Sequence, residues 1–499
     1  MIKDLLIVGS GSAGLLTALA LKRKIPQLNV KIVRSPEIGI IGVGEATTPN
    51  LPRFLFDYLG LSRKFFYAKA RPTWKMGIRF LWGPRGRFDY GFSKALDQHL
   101  GTVSRPNGFY CNEEFACTDV VTALMLHDKA FPRQANGCPD IQPWHAFHLE
   151  NVMLVAALEE VAISSGVEII NGTIVDTEKA PQGISAVILK DGTRMEADFF
   201  IDSSGFRSLL LGGALEEPFV SYSSSLFSDR AVVGGWERGP EEPILPYTTA
   251  ETMNCGWAWQ IEHEEHVNRG YVYSSQAISD DEAHAEFTAK NPKLTETRIV
   301  KFRSGRYERA WVGNVVAVGN ASGFVEPLES TALMIVCQEA QTLTDFIIHT
   351  GLNPTPTIRT MYNKFFAETW DEIRDFLSLH YRFNSKLDTP FWKMCQNEVD
   401  VAGAAPLLEF YKENGPTGFA RHLLRGHTAN FGIEGFLMML VGNKVPYDAK
   451  YVPTEAEWKV WNQHRADNIA IAKNGLSVKE ALAYVHHPGW QWHGDAVAS

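Results

Sequence analysis

IKDLLIVGSGSAGLLTALALKRK, residues 2–24, is the stretch on which the fold class turns. Residues 2–8, IKDLLIV, have the length and apolar content of a buried strand, and LLTALALKRK reads as a helix closing on cations. Between them Gly9, Gly11 and Gly14, with Ser12 and Ala13, stand in GxGxxG spacing. Glycine at these positions turns the chain tightly and lets backbone approach a pyrophosphate, whose charge then sits at the helix N-terminus. Strand, glycine turn and helix in this order predict a dinucleotide site. The next strand, NVKIVRS, carries Arg34 where an acidic residue would grip a ribose. Arginine there serves a 2′-phosphate or the adenosine of FAD, so the motif alone leaves NADP and FAD both open.

The rest of the chain bounds the class. Its 499 residues, as a soft prior, correspond to about two to four compact units with ample core. It is 45% hydrophobic and 21% charged with a formal net charge of −9. An acidic chain without basic runs argues against nucleic acid or an anionic membrane as partner. Six scattered cysteines without a CxxC read as reduced thiols of a cytoplasmic protein. The apolar N-terminus does not read as a signal peptide, because Asp4 and three glycines interrupt it, Lys22, Arg23 and Lys24 end it, and no small-residue cleavage site follows. No segment approaches the roughly 18 uninterrupted apolar residues of a membrane span.

Three further stretches draw attention. RPTWKMGIRF, residues 71–80, alternates like a strand, placing Lys75 on the face that is by default solvated. His145 and His148 lack further ligands at suitable spacing and read as structural, so no metal site is expected. YVHHPGWQWHGD, with His486, His487 and His493 among aromatics, reads as an exposed or docking tail. From about residue 341 the glycine turns stop, and amphipathic segments such as Thr360–His380 predict helices. The expected division is 1–340, an α/β nucleotide-binding module with inserted β structure, and 341–499, a mainly helical substrate-covering subdomain.

Two later segments, ADFFIDSSGFRS (197–208) and WVGNVVAVGNASGFVEPLEST (311–331), resemble the distal motifs with which FAD-dependent hydroxylase-like proteins close a flavin site. In such proteins a residue at about Val175 touches the adenine. The likeness then narrows. GVGEATTPN at 42–50, PTWKMGIRF at 72–80, LFSDRAV at 226–232, PYTTAETMNCGWAWQIE at 246–262, GYVYSS at 270–275, GFVEPLEST at 323–331 and EIRDFLSLHYRFNSKLDTPFW at 372–392 follow the order seen in flavin-dependent halogenases of the tryptophan-halogenase type. The resemblance runs from residue 2 to about 447.

This resemblance implies a Rossmann-like, hydroxylase-type FAD module, with Glu45, Ala46, Asn320 and Phe324 joining Gly9, Gly11, Ser12, Ala13, Gly14, Arg34 and Val175 at the cofactor. In the family, FADH2, O2 and halide yield hypohalous acid, which travels to a separate aromatic pocket. Lys75 aligns with the lysine that captures or orients it there, as a charged hydrogen-bond donor or as a haloamine. Glu329 aligns with the carboxylate that stabilises the arenium ion and takes its proton. The amides of Thr331 and Ala332 stand where chloride is held, with Ala332 in place of a usual glycine. Trp257 and Trp259 match the WxWxIP segment that keeps substrate off the flavin, while Glu262 replaces its proline. The implied partners are a separate NAD(P)H-dependent flavin reductase, since no second nucleotide module is seen, and a small electron-rich aromatic such as an indole; a homo-oligomer is compatible with this reading. Residues 435–441, GFLMMLV, favour a neutral indole over free tryptophan. An aromatic monooxygenase is the alternative.

Overall fold

The apolar run forms the strand Asp4–Val8, and the glycine turn leads directly into the helix Ser12–Lys24. The computed structural model describes residues 1–39, 44–93, 103, 116–424, 430–449 and 451–492; Gly42, Val43 and His493 lie outside them. Asp4–Val8 pairs in parallel with Asn29–Arg34 on one side and Phe199–Asp202 on the other. Glu168–Asn171 and Val315–Ala317 extend the parallel sheet, and the short strand Trp311–Val312 closes one edge antiparallel. Both faces of the first strand are buried, which is why its sequence does not alternate. Leu5 and Ile7 enter the core shared with the helices, where Ser12–Lys24 packs against Asn151–Ser164 and Ala332–His349. Leu6 and Val8 enter a second core with Ile184, Val187 and Leu189 of a three-stranded meander.

A seven-stranded sheet stands beside this module, in the order Thr297–Lys301, Arg230–Glu237, His266–Tyr273, Gly256–Glu262, Thr248–Met253, Gly77–Leu81, Phe88–Gly91. Its pairings are antiparallel except Gly77–Leu81 with Thr248–Met253. Ile78, Phe80, Trp257 and Trp259 on this sheet share one core with Ile373, Phe376, Phe391 and Phe436 from the helical part. A further small sheet joins Glu45–Ala46 and Thr73–Lys75 through the central strand Ala146–Leu149. It ties the chain around Glu45 to the strand that carries Lys75.

The helical expectation for the later part of the chain holds. Pro356–Phe383 starts at Thr355, whose hydroxyl accepts from Ile358 N–H, with proline in the first turn where its missing donor costs nothing. Ala332–His349 runs through residue 340 without interruption. Leu476, Val478, Ala481, Leu482 and Val485, near the C-terminus, return to the core of the first sheet. The tail docks as well: the Trp492 and Tyr67 ring centroids are 4.4 Å apart, and His486 Nε2 lies 3.3 Å from Glu264 Oε1. No helix among the described residues is long and apolar enough to cross a membrane.

Candidate active site

A cleft opens at the carboxyl ends of the parallel strands. Gly9, Gly11, Ser12, Ala13, Arg34, Glu45, Ala46, Asn320 and Phe324 line it. Each glycine of the turn has its own reason. Gly9 has φ +106, and a Cβ there would lie 2.5 Å from Ser203 O. Gly14 does not line the cleft; a Cβ there would meet Gly9 O at 2.1 Å, so it serves close packing of helix on strand. A Cβ at Gly11 would meet nothing within 4 Å and would project into open cleft, the room a pyrophosphate needs. Arg34 is aimed by Asn171 Oδ1 at 2.8 Å and Glu159 Oε2 at 2.7 Å. These residues fit FAD. Burial pushes the Glu45 carboxyl up to about 7. Asp202, which the sequence reading passed over, holds the 204–211 turn by accepting from the amides of Ser204, Leu210 and Leu211.

Val175 is a correction to the expected lining. It is 59% exposed, and its neighbours Thr173 and Ile174 line the cleft instead. Strand alternation turns Val175 to the outer face. The two tryptophans also divide. Trp259 lines the cleft, lying so close over Gly270 that a Cβ there would sit 2.1 Å from its ring. Trp257 is fully buried in the core between sheet and helices, its ring centroid 6.1 Å from that of Trp259. His148 Nε2 meets Thr248 Oγ1 at 2.8 Å, and His145 Nδ1 meets Gln142 O. Burial lowers both, His145 to about 4.

Lys75 is not on a solvated face. It is fully buried, its Nζ donating to Ser330 Oγ at 2.6 Å and standing 5.1 Å from the Phe92 ring centroid. Loss of water pushes its ammonium down to about 7, against the opposing pull of the Glu329 charge. Ser330 is in the left-handed region at φ +57, which directs the chain from the short turn Pro327–Glu329 into the helix Ala332–His349, whose N-cap is Thr331. Ser330 and Ala332 line the flavin cleft, whereas Thr331 is buried beside it. Glu329 is buried too, its Oε1 2.7 Å from His380 Nε2. His380 Nδ1 meets Phe376 O at 3.0 Å. With Nδ1–H given to that carbonyl, the Nε2–Oε1 contact needs a proton of its own, held by imidazole or carboxyl.

His380 is the site residue that sequence reasoning missed. Its segment was quoted for the family likeness, but a histidine on a helix face carries no signal of a partner 51 residues earlier. The apolar wall read at 435–441 is buried throughout, within the helix Gly432–Gly442. Glu434, just before it, is buried as well; burial first, and then the charges of Glu329, Glu434 and Glu372, hold the Tyr90 hydroxyl well above its ordinary range.

A dinucleotide cleft joined through one turn to a buried lysine and carboxylate is the arrangement expected of a flavin-dependent halogenase. The comparisons agree: the description "Tryptophan halogenase" matches residues 4–456, and the chain belongs to that family. It is 32% identical over 463 residues to tryptophan 7-halogenase KtzQ of Kutzneria sp. (strain 744), covering 87% of this chain and 86% of that protein. Among solved structures it resembles MibH, a lathipeptide tryptophan 5-halogenase, with 39% identity, a TM-score of 0.90 and coverage of 98% of this chain and 94% of that one. BrvH, a flavin-dependent halogenase from Brevundimonas sp. BAL3, matches at 27% identity and TM-score 0.83, over 97% and 99% of the two chains.

Proposed function

We propose that this halogenase uses hypohalous acid, made in the flavin cleft, to halogenate an indole ring held between Lys75 and Glu329. The observation that carries the reading is Ser330, which lines the cleft and accepts the Lys75 hydrogen bond at 2.6 Å, with Glu329 preceding it in the chain. Bound FADH2, supplied by a separate NAD(P)H-dependent reductase, provides with O2 the two-electron oxidation of halide. The amides of Thr331 and Ala332, at the start of a long helix, hold the halide. Lys75 as an ammonium has three donors; one serves Ser330 and another binds the hypohalous oxygen, leaving the halogen more electrophilic. Glu329, oriented by His380, stabilises the positive charge on the ring and takes the departing ring proton. Trp259 closes the cleft against the aromatic substrate.

The test is Lys75→Ala. The variant is expected to bind FAD and oxidise FADH2 normally, release free hypohalite and form no halogenated arene; normal product with hypohalite scavenged removes Lys75 from the reaction. A mass-spectrometric screen of indoles, phenols and pyrroles with each halide is expected to return indoles as the main products. Competing indole with free tryptophan measures the side-chain requirement. With Gly435–Val441 apolar, indole is expected to exceed tryptophan in kcat/KM, and a clear tryptophan advantage overturns this reading of the pocket.

A further inference from the structure

Lys75 is bracketed by two hydrogen bonds, one to Glu262, which a buried guanidinium holds, and one to Pro246, three residues beyond that guanidinium's contact at Pro243. Two residues before it, the Thr73 hydroxyl donates to the Glu262 carbonyl oxygen. One residue after it, Met76 N–H donates to Pro246 O at 2.7 Å. Arg238 holds the first support directly and the segment leading to the second: its Nη2 pairs with the Glu262 carboxylate, its Nε donates to His263 O at 3.0 Å and its Nη1 donates to Pro243 O. Gln260 Nε2 donates to the other Glu262 oxygen at 2.7 Å. The Arg238 and Glu262 side chains are only 4% and 1% exposed.

We infer that the buried Arg238–Glu262 pair is a positioning device for Lys75, fixing where Nζ meets hypohalous acid; this rests on the role proposed above for Lys75. Glu262 stands where the matching segment has proline. A proline would fix φ and present its carbonyl, with nothing beyond the strand end for Arg238 to grip. Glu262 offers its carbonyl to Thr73 and adds a carboxylate that draws in Arg238, and with it the segment leading from Pro243 to Pro246. The attraction within so deep a pair is largely offset by the desolvation of both charges, so its effect lies in the geometry it imposes more than in stability.

The readout is the division of oxidant, per FADH2 consumed, between halogenated arene and free hypohalite trapped by a halogen-sensitive dye. Thr73→Val removes the hydroxyl bond and leaves the ion pair; Thr73→Ser keeps both. Arg238→Met with Glu262→Leu replaces the pair by apolar groups, a change that buried pairs commonly tolerate. Thr73→Val and the double variant are expected to bind FAD as the parent does yet deliver on the order of ten-fold less oxidant to product, the scale of a small misplacement, while Thr73→Ser keeps the parental division. A parental division in Thr73→Val overturns the inference, as does a loss of FAD affinity matching the loss of product. If the double variant does not fold, the Thr73 variants decide. Lys75→Ala separates the two readings: a parental division there removes the lysine's role itself, whereas a shift in Lys75→Ala without one in Thr73→Val removes only the positioning role.

Discussion

Lys75 holds an ionisable group with no exposed surface, and that has a measurable consequence. Its ammonium deprotonates at about 7 in the folded protein against 10.5 ordinarily, so folding releases a proton between those values. The unfolded chain binds more protons there, and this residue makes stability rise with pH across that window. Lys75→Met is therefore expected to be more stable than the parent below pH 7, with the advantage shrinking toward pH 10.5. Chemical denaturation of both proteins at several pH values checks it; parallel curves would mean that Lys75 is solvated. His380 makes a different prediction. It packs against Phe80 and Phe376, with ring centroids 5.4 and 4.9 Å away, so His380→Phe keeps an aromatic ring there and deletes the contact to Glu329 together with the ring's bond to the Phe376 carbonyl in its own helix. Product formation is expected to fall by roughly 10–100-fold, at the lower end of general acid–base effects, with FAD binding unchanged. Single-turnover halogenation and a flavin titration measure the two.

Among elements, the glycine turn was readable because its constraint is local. Gly9 needs a positive φ and Gly14 a bare Cα against Gly9 O, whatever surrounds them. Gly11 alone is reserved for a ligand. Gly11→Ala is thus expected to fold with a near-parental Tm while losing about ten-fold or more in FAD affinity, since its methyl occupies the phosphate's place. Gly14→Val is expected to lose the fold itself, which thermal melts without cofactor distinguish. The stretch 71–80, which alternates like one strand, is in fact two short strands, Thr73–Lys75 and Gly77–Leu81, in different sheets, and the solvated face that alternation alone suggests for Lys75 is covered. Alternation reports which side chains share a face, and here both faces are covered: Thr73 and Lys75 are buried as fully as Trp74 and Ile78, and Arg79 is buried but for 8% of its surface. Val175 failed for a related reason, since a position one residue off in a strand points to the opposite face.

Across the whole molecule, the C-terminal segment is part of the first module's core. Ending the chain at Gly475 would strip five buried apolar residues, Leu476, Val478, Ala481, Leu482 and Val485, from the core built on Asp4–Val8. At about 1.5–3 kcal/mol for the larger of these side chains, the loss rivals a typical domain stability of about 5–15 kcal/mol. The truncated chain is expected to show a sharply lowered Tm or no cooperative melt by circular dichroism. The dinucleotide turn, the apolar strands beside it and the helical later part were legible in the sequence because each depends on residues close together in the chain, whereas the parallel pairing of Leu5 with Phe199 does not. Lys75 and Glu329 were marked by motif likeness, which names residues without stating their surroundings. What only the tertiary structure decided is the set of long-range pairings: Lys75 with Ser330, Glu329 with His380, and Arg238 with Glu262 beneath the lysine's strand. Burial and the partner that compensates it are set by how distant strands and helices meet, and no periodicity within one segment encodes that meeting.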